Sequence, residues 1–97
     1  MEYKIIEVKD NSKKSEYTTI ILKKLPEWFG NEKTILDYTK SVQNNPFWAA
    51  FDNNKCISFL SGKIHYNRPG DIYVVGVDPD YHGKGIGTLL YKELEKH

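Results

Sequence analysis

The sequence has few of the residues that build disulfide or metal sites. Its 97 residues include one cysteine, Cys56, so neither an internal disulfide nor a CxxC site can form within the chain. The three histidines, His65, His82 and His97, share no HxxxH or HExxH spacing. We therefore expect no metal site made by this chain alone, and we expect Cys56 to be a buried strand residue of the segment KCISFLSG.

Long apolar runs and an excess of one charge are also missing. The first ten residues, MEYKIIEVKD, mix acid and base and contain no apolar run as long as that of a signal peptide or a transmembrane helix. Fourteen Lys and Arg residues against 13 Asp and Glu residues give a formal net charge of +1, unlike that of a general nucleic-acid binder. The short pairs Lys13-Lys14 and Lys23-Lys24 are interpreted as solvated helix faces. We expect a cytoplasmic protein that binds neither nucleic acid nor membrane.

The chain is, by contrast, rich in aromatic residues. Seven Tyr, four Phe and two Trp residues supply the large apolar surfaces that a small core needs. A chain of this length supports one hydrophobic core, so residues 1–97 are expected to form a single domain. Trp48, which lies between Phe47 and Phe51, is assigned to that core.

Hydrophobic spacing in the first half predicts one strand and two helices. Residues 3–8 are rich in β-forming types and precede a polar turn at 9–15. A helix is predicted from Ser15 to near Pro26, because apolar residues recur there at helical spacing. Its apolar positions are Tyr17, Ile20, Ile21 and Leu25. Asn31 is typical of the N-cap of a second helix. The apolar stripe of that helix is Ile35, Tyr38 and Val42.

Three strands are predicted in the second half. Residues 47–51 (FWAAF) and 56–66 flank a turn at 52–55 and predict a β-hairpin. A second turn at 67–70 leads into a further antiparallel strand, residues 71–77 (DIYVVGV). Apolar residues on both faces of this last strand predict a central position in the sheet.

The chemistry is concentrated before the last predicted helix, residues 85–97. The segment DPDYHGKGIGT, residues 78–88, places Gly83, Gly85 and Gly87 at alternate positions. Glycines let backbone N–H groups approach a ligand closely, and a helix start adds partial positive charge, so the pattern predicts an anion site suited to a pyrophosphate. A tight strand-to-helix turn without a ligand is the alternative. The apolar face of the helix is predicted to comprise Ile86, Leu89, Leu90 and Leu94.

Two common phosphate-binding motifs do not fit this spacing. A Walker A loop has four residues between its glycines and Ser or Thr after its lysine, but six residues separate Gly76 from Gly83, and Gly85 follows Lys84. A dinucleotide-binding fingerprint would need glycine where Thr88 stands, directly after its strand. The upstream hairpins also contradict the alternating βα order of that fold.

A third pattern does fit: a strand ending in V-x-P, a short polar loop, and an (R/Q)xxGxG turn that leads into a helix. Here it is Val77-Asp78-Pro79 followed by residues 82–87 (HGKGIG), with His82 where Arg or Gln is commonest. This resembles the acetyl-CoA-binding motif of the GNAT N-acetyltransferase superfamily. The order of predicted elements resembles the first half of that α/β fold, a mainly antiparallel sheet flanked by helices.

The resemblance implies acetyl-CoA as the cofactor. Backbone amides of the glycine loop would take the pyrophosphate, and the main chain of Val75 and Val77 would pair with the pantetheine arm. An N–H near Val75 would also stabilise the oxyanion of the reaction. The implied cofactor-binding residues are Val75, Val77, His82, Gly83, Lys84, Gly85, Ile86, Gly87 and Thr88.

The resemblance also implies transfer of an acetyl group to a primary amine of a small-molecule or peptide acceptor. Such a transfer needs a base and an acid. Asp71 is the candidate base, because many relatives place a carboxylate there; a solvated turn residue is the alternative. Trp28 and Phe29 either contact the acceptor or cap the core. Three loop residues are interpreted as structural: Asp78, Asp80 and Tyr81.

The chain is shorter than the usual domain of this family. The resemblance therefore implies one partial N-acetyltransferase domain, with the general acid expected outside the sequence. The strand at 71–77 would lack its usual neighbour, so we expect it to pair with a second copy in a homodimer, or the sequence to come from a longer protein. A non-catalytic acyl-CoA-binding or regulatory module is the alternative function, and a structural fragment without a ligand is the third.

Overall fold

The described residues form a mixed α/β fold whose elements follow the predicted order. The computed structural model describes residues 3–26, 31–63 and 72–96. Its strands and helices are β1 (Lys4–Glu7), α1 (Asn11–Leu22), α2 (Glu32–Ser41), β2 (Phe47–Asp52), β3 (Lys55–Gly62), β4 (Ile72–Val77) and α3 (Ile86–Lys96). Short 3₁₀ turns follow α2 at Val42–Asn44 and β4 at Pro79–Tyr81. The predicted fold class is confirmed.

The four strands form one antiparallel sheet in the order β1-β2-β3-β4. A two-residue turn at Asn53 and Asn54 joins β2 to β3, which confirms the predicted hairpin. In the described part of the chain β4 pairs with β3 and is an outer strand, so the central position predicted for it is wrong. Some of the apolar side chains of β4, such as Ile72 and Val75, are exposed at this outer strand.

Helices cover both faces of the sheet. On one face α1 and α2 bury a core that includes Ile21, Ile35 and Phe59. On the other face α3 packs Leu90 into a core that includes Trp48, which confirms the predicted burial of that tryptophan. β2 and β3 carry apolar side chains toward both helix layers, so each strand contributes to two cores. Burial of this apolar surface stabilises the fold by about 25 cal/mol for each Å² removed from water.

A β-bulge at Ile57 decides which β3 side chains face which helix layer. Cys56 and Ser58 pair with adjacent residues of β2, so the register skips Ile57. As a result Cys56 and Phe59 share the face covered by α1, although a regular strand would place them on opposite faces. Cys56 is buried as predicted, and its burial raises the pKa of the thiol to about 11.

The first helix begins earlier than its hydrophobic spacing predicts. α1 begins at Asn11 rather than Ser15, because the side chain of Asp10 accepts a hydrogen bond from the N–H of Lys13 at 3.1 Å and acts as the N-cap. The polar run assigned to a turn is therefore the first turn of the helix. Ile20, predicted on the buried face, is exposed. The buried residues of α1 are Lys14, Thr18, Ile21 and Leu22.

Lys14 is buried rather than solvated. Its Nζ donates hydrogen bonds to the carbonyl oxygens of Gln43 at 3.2 Å and Asn45 at 2.8 Å. Burial lowers the pKa of Lys14, although the charge of Glu7 opposes that shift. Since Gln43 and Asn45 follow α2, Lys14 ties the start of α1 to the end of α2, and its interpretation as part of a solvated face is wrong.

The other two helices follow their predicted patterns closely. The side chain of Asn31 accepts a 2.8 Å hydrogen bond from the N–H of Lys33, which confirms the predicted N-cap of α2. α3 turns three apolar residues inward, whereas Leu89, predicted on the same face, is exposed. The three inward residues are Ile86, Leu90 and Leu94. Across the described ranges, no helix has the length and apolar character needed to span a membrane.

Candidate functional site

A cavity of about 500 Å³ opens where β4 ends and the glycine-rich loop begins. Its walls come from the segment after α1, the second half of β4, the 3₁₀ turn, the loop and the first turn of α3. The residues that line it are Leu25, Val75, Gly76, Val77, Tyr81, His82, Gly83, Gly85, Ile86, Gly87 and Thr88. This volume is within the range of small-molecule and cofactor sites.

β4 presents main-chain groups to the cavity from the edge that faces away from β3. The N–H of Asp78 donates to the carbonyl of Ile57 in β3 at 2.8 Å. Because successive residues of a strand point their N–H and C=O groups to opposite sides, those of Val75 and Val77 point away from β3. An extended ligand laid along this edge would therefore meet hydrogen-bonding groups of both valines.

His82 makes a side-chain hydrogen bond to this edge. Its Nε2 lies 2.8 Å from the carbonyl oxygen of Val77. A carbonyl oxygen can only accept, so Nε2 carries the proton and donates it. The imidazole is thereby held against the end of β4, at the position where the motif most often has Arg or Gln.

The loop before α3 depends on two glycines in the left-handed region. Gly83 and Gly85 have φ values of 79° and 76°, which other residues rarely adopt. A Cβ built on either glycine would meet no described atom within 4 Å. Their free faces therefore open on the cavity rather than on protein.

Gly87 lies in the first turn of α3 and lacks both of the usual structural reasons for glycine. Its φ is not positive, and a Cβ built on it would also meet no described atom within 4 Å. Glycine is less favourable than alanine in a helix by up to about 1 kcal/mol. Glycine at this position leaves the start of the helix open to close approach by another group.

The start of α3 supplies N–H groups that the helix itself does not use. The N–H of Leu89 is the first to bond back along the helix, to the carbonyl of Gly85 at 3.2 Å. The N–H groups of Ile86, Gly87 and Thr88 precede it and have no acceptor within the helix. With the partial positive charge of a helix start, this arrangement suits an anion such as a phosphate.

A buried carboxylate stands at the junction of β4 and the loop. Asp78 is 2% exposed; its Oδ2 accepts a 2.7 Å hydrogen bond from Nζ of Lys24, and its Oδ1 accepts one from the N–H of Asp80 at 2.9 Å. Burial works to raise the pKa of Asp78, but the bonds from Lys24 and Asp80 and the charges of Lys24 and Lys55 hold the pKa below its usual value. Asp78 is a structural residue, as predicted, and it caps the 3₁₀ turn. Lys24 has the exposed position predicted for it, and its ammonium also pairs with Asp78.

Tyr81 joins the 3₁₀ turn to the β2–β3 hairpin. Its hydroxyl donates a 2.6 Å hydrogen bond to Oδ2 of Asp52, and its ring packs edge-on against Tyr3 with centroids 6.1 Å apart. The hydrogen bond to Asp52, helped by desolvation, raises the pKa of Tyr81 to about 12. Tyr81 is the packing residue that the sequence predicts, and it also lines the cavity.

Comparison with known proteins identifies the family. The model of the acetyltransferase (GNAT) family matches residues 11–97. The chain belongs to the GNAT family. A mycothiol acetyltransferase of Mycobacterium leprae (strain Br4923) is 34% identical over 65 residues, covering 65% of this chain and 19% of the relative. Another, of Mycolicibacterium gilvum (strain PYR-GCK), is 41% identical over 46 residues, covering 45% of this chain and 15% of the relative. This GNAT chain thus spans less than a fifth of the length of these curated relatives.

Solved structures share the fold of this GNAT chain. The PaiA N-acetyltransferase from Thermoplasma acidophilum, in complex with coenzyme A, matches with a TM-score of 0.68 and 21% identity, covering 99% of this chain and 71% of that one. AAC(6')-Iy, in complex with the bisubstrate analogue CoA-S-monomethyl-acetylneamine, matches with a TM-score of 0.69 and 17% identity over the same shares of the two chains. At these identities the likeness concerns the fold alone.

The GNAT fold brings most of the predicted cofactor residues into one place. Of the residues implied by the motif, all except Lys84 line the cavity, and Lys84 is exposed in the loop between them. Asp71, Trp28 and Phe29 lie outside the described residues, so their assignments stay predictions.

Three residues of the described lining, Leu25, Gly76 and Tyr81, were not predicted as site residues. Leu25 was assigned only to a helix stripe, but it lines the cavity. Lys24 was assigned to solvent, but it pairs with Asp78 across 54 residues of sequence. Gly76 could have been found from the sequence, because an isolated glycine within a strand indicates close approach of another group. The Lys24–Asp78 pair could not, because no local sequence pattern marks two residues so far apart in the chain.

Proposed function

We propose that this chain binds acetyl-CoA in the cavity beside β4 and transfers the acetyl group to a primary amine of a small-molecule or peptide acceptor. The observation that carries the proposal is the continuity of this cavity, which joins the outer edge of β4 to the glycine loop. Coenzyme A has an extended neutral arm, which suits a strand edge, and a charged pyrophosphate, which suits N–H groups at a helix start. The GNAT family match and the coenzyme A complex of PaiA support the same ligand.

The lining residues fit coenzyme A in charge and in space. Open space over Gly85 and Gly87 leaves room for a pyrophosphate close to the N–H groups of Ile86 and Thr88. None of the described residues that line the cavity carries a carboxylate, so nothing in that lining repels the phosphates. The N–H of Val75 faces away from β3, where it can meet the pantetheine arm or the acetyl carbonyl.

The reaction requires proton removal from the acceptor and stabilisation of developing negative charge. Acetyl-CoA supplies the acetyl group as an activated thioester. The acceptor ammonium loses one proton and its nitrogen bonds to the acetyl carbonyl carbon. The nitrogen then gives up a second proton as the C–S bond breaks, and the sulfur takes up a proton and leaves as the thiol of coenzyme A. We assign proton removal to Asp71, and stabilisation of the carbonyl oxygen to an N–H near Val75.

A non-catalytic acyl-CoA-binding module is the second candidate function. The observation that favours it is the state of the two titratable side chains in the described lining. Tyr81 is bonded to Asp52, and His82 is bonded to the carbonyl of Val77. Both side chains therefore hold the loop, and the described lining offers no carboxylate to act as a base.

Incubation with acetyl-CoA and a panel of primary amines distinguishes the two candidates. An acetyltransferase releases free coenzyme A thiol in step with amide formation. A binding module shows a higher melting temperature with coenzyme A but releases no thiol above the rate without protein. A chain that shows neither a thermal shift nor thiol release contradicts the proposed function.

Substitution of Gly85 tests the assigned loop directly. Gly85→Glu places a strained side chain and a negative charge in the space assigned to the pyrophosphate, so we expect titration calorimetry to detect no acetyl-CoA binding. Gly85→Asn is the matched control for strain, because asparagine tolerates the left-handed region; it should retain measurable, weakened binding. Unchanged affinity in a folded Gly85→Glu variant would refute the site.

A further inference from the structure

We infer that the Lys24–Asp78 ion pair is a positioning pair that holds the segment after α1 to the end of β4 and sets the glycine loop for coenzyme A. The inference rests on the proposed function, because its main consequence is a change in coenzyme A affinity. Neither residue lines the cavity, so their role is exerted through their neighbours in the chain and not by contact with the ligand.

Each partner of the ion pair adjoins a residue of the cavity wall. Lys24 precedes Leu25, which lines the cavity in the segment that follows α1, and Asp78 follows Val77, which lines the cavity at the end of β4. The two side chains are 54 residues apart in sequence, yet Nζ and Oδ2 lie 2.7 Å apart. The ion pair therefore joins the segment after α1 directly to the end of β4.

Asp78 also fixes the start of the loop through its other polar atoms. Its N–H donates to the carbonyl of Ile57 in β3 at 2.8 Å, and its own carbonyl accepts from the N–H of Tyr81 at 2.8 Å. Its Oδ1 holds the N–H of Asp80 at 2.9 Å. A displacement of the Asp78 side chain is thus passed to the 3₁₀ turn and to His82, the next residue after that turn.

The positive charge of Lys24 is required because the carboxylate has little access to water. The side chain of Asp78 is 3% exposed and that of Lys24 is 38% exposed. A buried carboxylate that loses its ammonium partner keeps its desolvation cost without compensation. Lys55, whose Nζ is 4.0 Å from Oδ2 and whose side chain is 52% exposed, is too distant to replace the lost hydrogen bond. The carboxylate would then move toward water and carry the start of the loop with it.

The test measures coenzyme A affinity by titration calorimetry in wild type, Lys24→Met, Asp78→Asn and the double variant. We expect Lys24→Met to raise the dissociation constant about tenfold, the change for one lost charge-assisted hydrogen bond. The double variant should return to within about threefold of wild type, because a neutral amide at position 78 keeps the cap to Asp80 and no longer needs an ammonium.

Lys23→Met is the matched control. Lys23 is exposed and adjacent to Lys24, so the substitution removes the same charge without touching Asp78. It should change the dissociation constant for coenzyme A less than about twofold. This result would distinguish the effect of the lost ion pair from the effect of removing a positive charge that attracts an anionic ligand. Circular dichroism and thermal unfolding establish that each variant is folded at the temperature of the titration.

Amide hydrogen exchange tests the positioning role without coenzyme A. The outcome for this inference can therefore be separated from the outcome for the proposed function. In the ligand-free protein we expect residues 80–88 to exchange faster in Lys24→Met than in wild type, and to regain protection in the double variant. If wild type binds no coenzyme A, the proposed function fails, and the exchange pattern alone decides the positioning role. Unchanged affinity and exchange in Lys24→Met, an equal loss in Lys23→Met, or no recovery in the double variant would each overturn the inference.

Discussion

At Gly76, β4 packs closely against α1 and the residues that follow it. A Cβ built on it would lie 2.9 Å from Cγ2 of Ile21, 3.2 Å from Cε1 of Phe59 and 3.4 Å from Cδ1 of Leu25. These neighbours belong to the core on the α1 face, and Leu25 also lines the cavity. At this position glycine serves packing, whereas the glycines of the loop leave space for a ligand.

We expect Gly76→Ala to lower the free energy of unfolding by about 1–3 kcal/mol, because an added methyl group overpacks a closed site. Urea denaturation measures the change. Gly87→Ala is the control, since its Cβ would meet no described atom within 4 Å and alanine favours the helix. Equal losses of stability in the two variants would contradict this packing role.

Among the elements, α1 shows how a cap can move a helix boundary. The run DNSKKS is polar and resembles a turn, but the Asp10 side chain captures the N–H of Lys13 and Lys14 bonds back to the Asp10 carbonyl. Buried Lys14 then joins this new first turn to the end of α2. The helix therefore begins where a cap and a tertiary contact coincide, ahead of its first apolar residue.

Removing the cap should destabilise this element measurably. We expect Asp10→Ala to lower the free energy of unfolding by about 1 kcal/mol, because the N–H of Lys13 loses its acceptor. Asp10→Asn retains a side-chain oxygen and should unfold at nearly the wild-type urea concentration. A loss as large for the asparagine variant as for the alanine variant would show that the effect does not come from the cap.

For the molecule as a whole, the outer edge of β4 is the feature with the largest consequence. Val75 and Val77 direct their main-chain groups away from β3, and Ile72 and Val75 expose apolar surface beside them. Such an edge is a template for pairing with another strand. The same edge is assigned to the pantetheine arm, so strand pairing and ligand binding would compete for it.

We expect this chain to self-associate through Ile72–Val77 in the absence of ligand. Light scattering should give a mass that rises with concentration, and Ile72→Lys should shift the mass toward the monomer, because a lysine on an exposed edge opposes pairing. Excess coenzyme A should act in the same direction. A constant monomeric mass, with rapid amide exchange at Val75 and Val77, would contradict strand pairing.

Most of the fold and the location of the site are predictable because their signals are contiguous in the sequence. Each of these signals spans a dozen residues at most: the hairpin turn, the Asn31 cap, and the V-x-P strand end followed by spaced glycines. The predictions are wrong where contacts with distant parts of the chain decide the position of a side chain. Ile20 and Leu89 have helical spacing but point to solvent, since the sheet covers only part of each helix surface.

The sequence by itself therefore determined the family, the order of the elements and the loop at residues 82–88, because local hydrogen bonding and backbone conformation depend on neighbouring residues. Only the tertiary structure decided that β4 is an outer strand of the sheet that the described residues form, that the β3 register skips Ile57, and that Lys24 pairs with Asp78. Each of these depends on groups far apart in the chain, whose burial and charge become defined only when the sheet and its helices have packed.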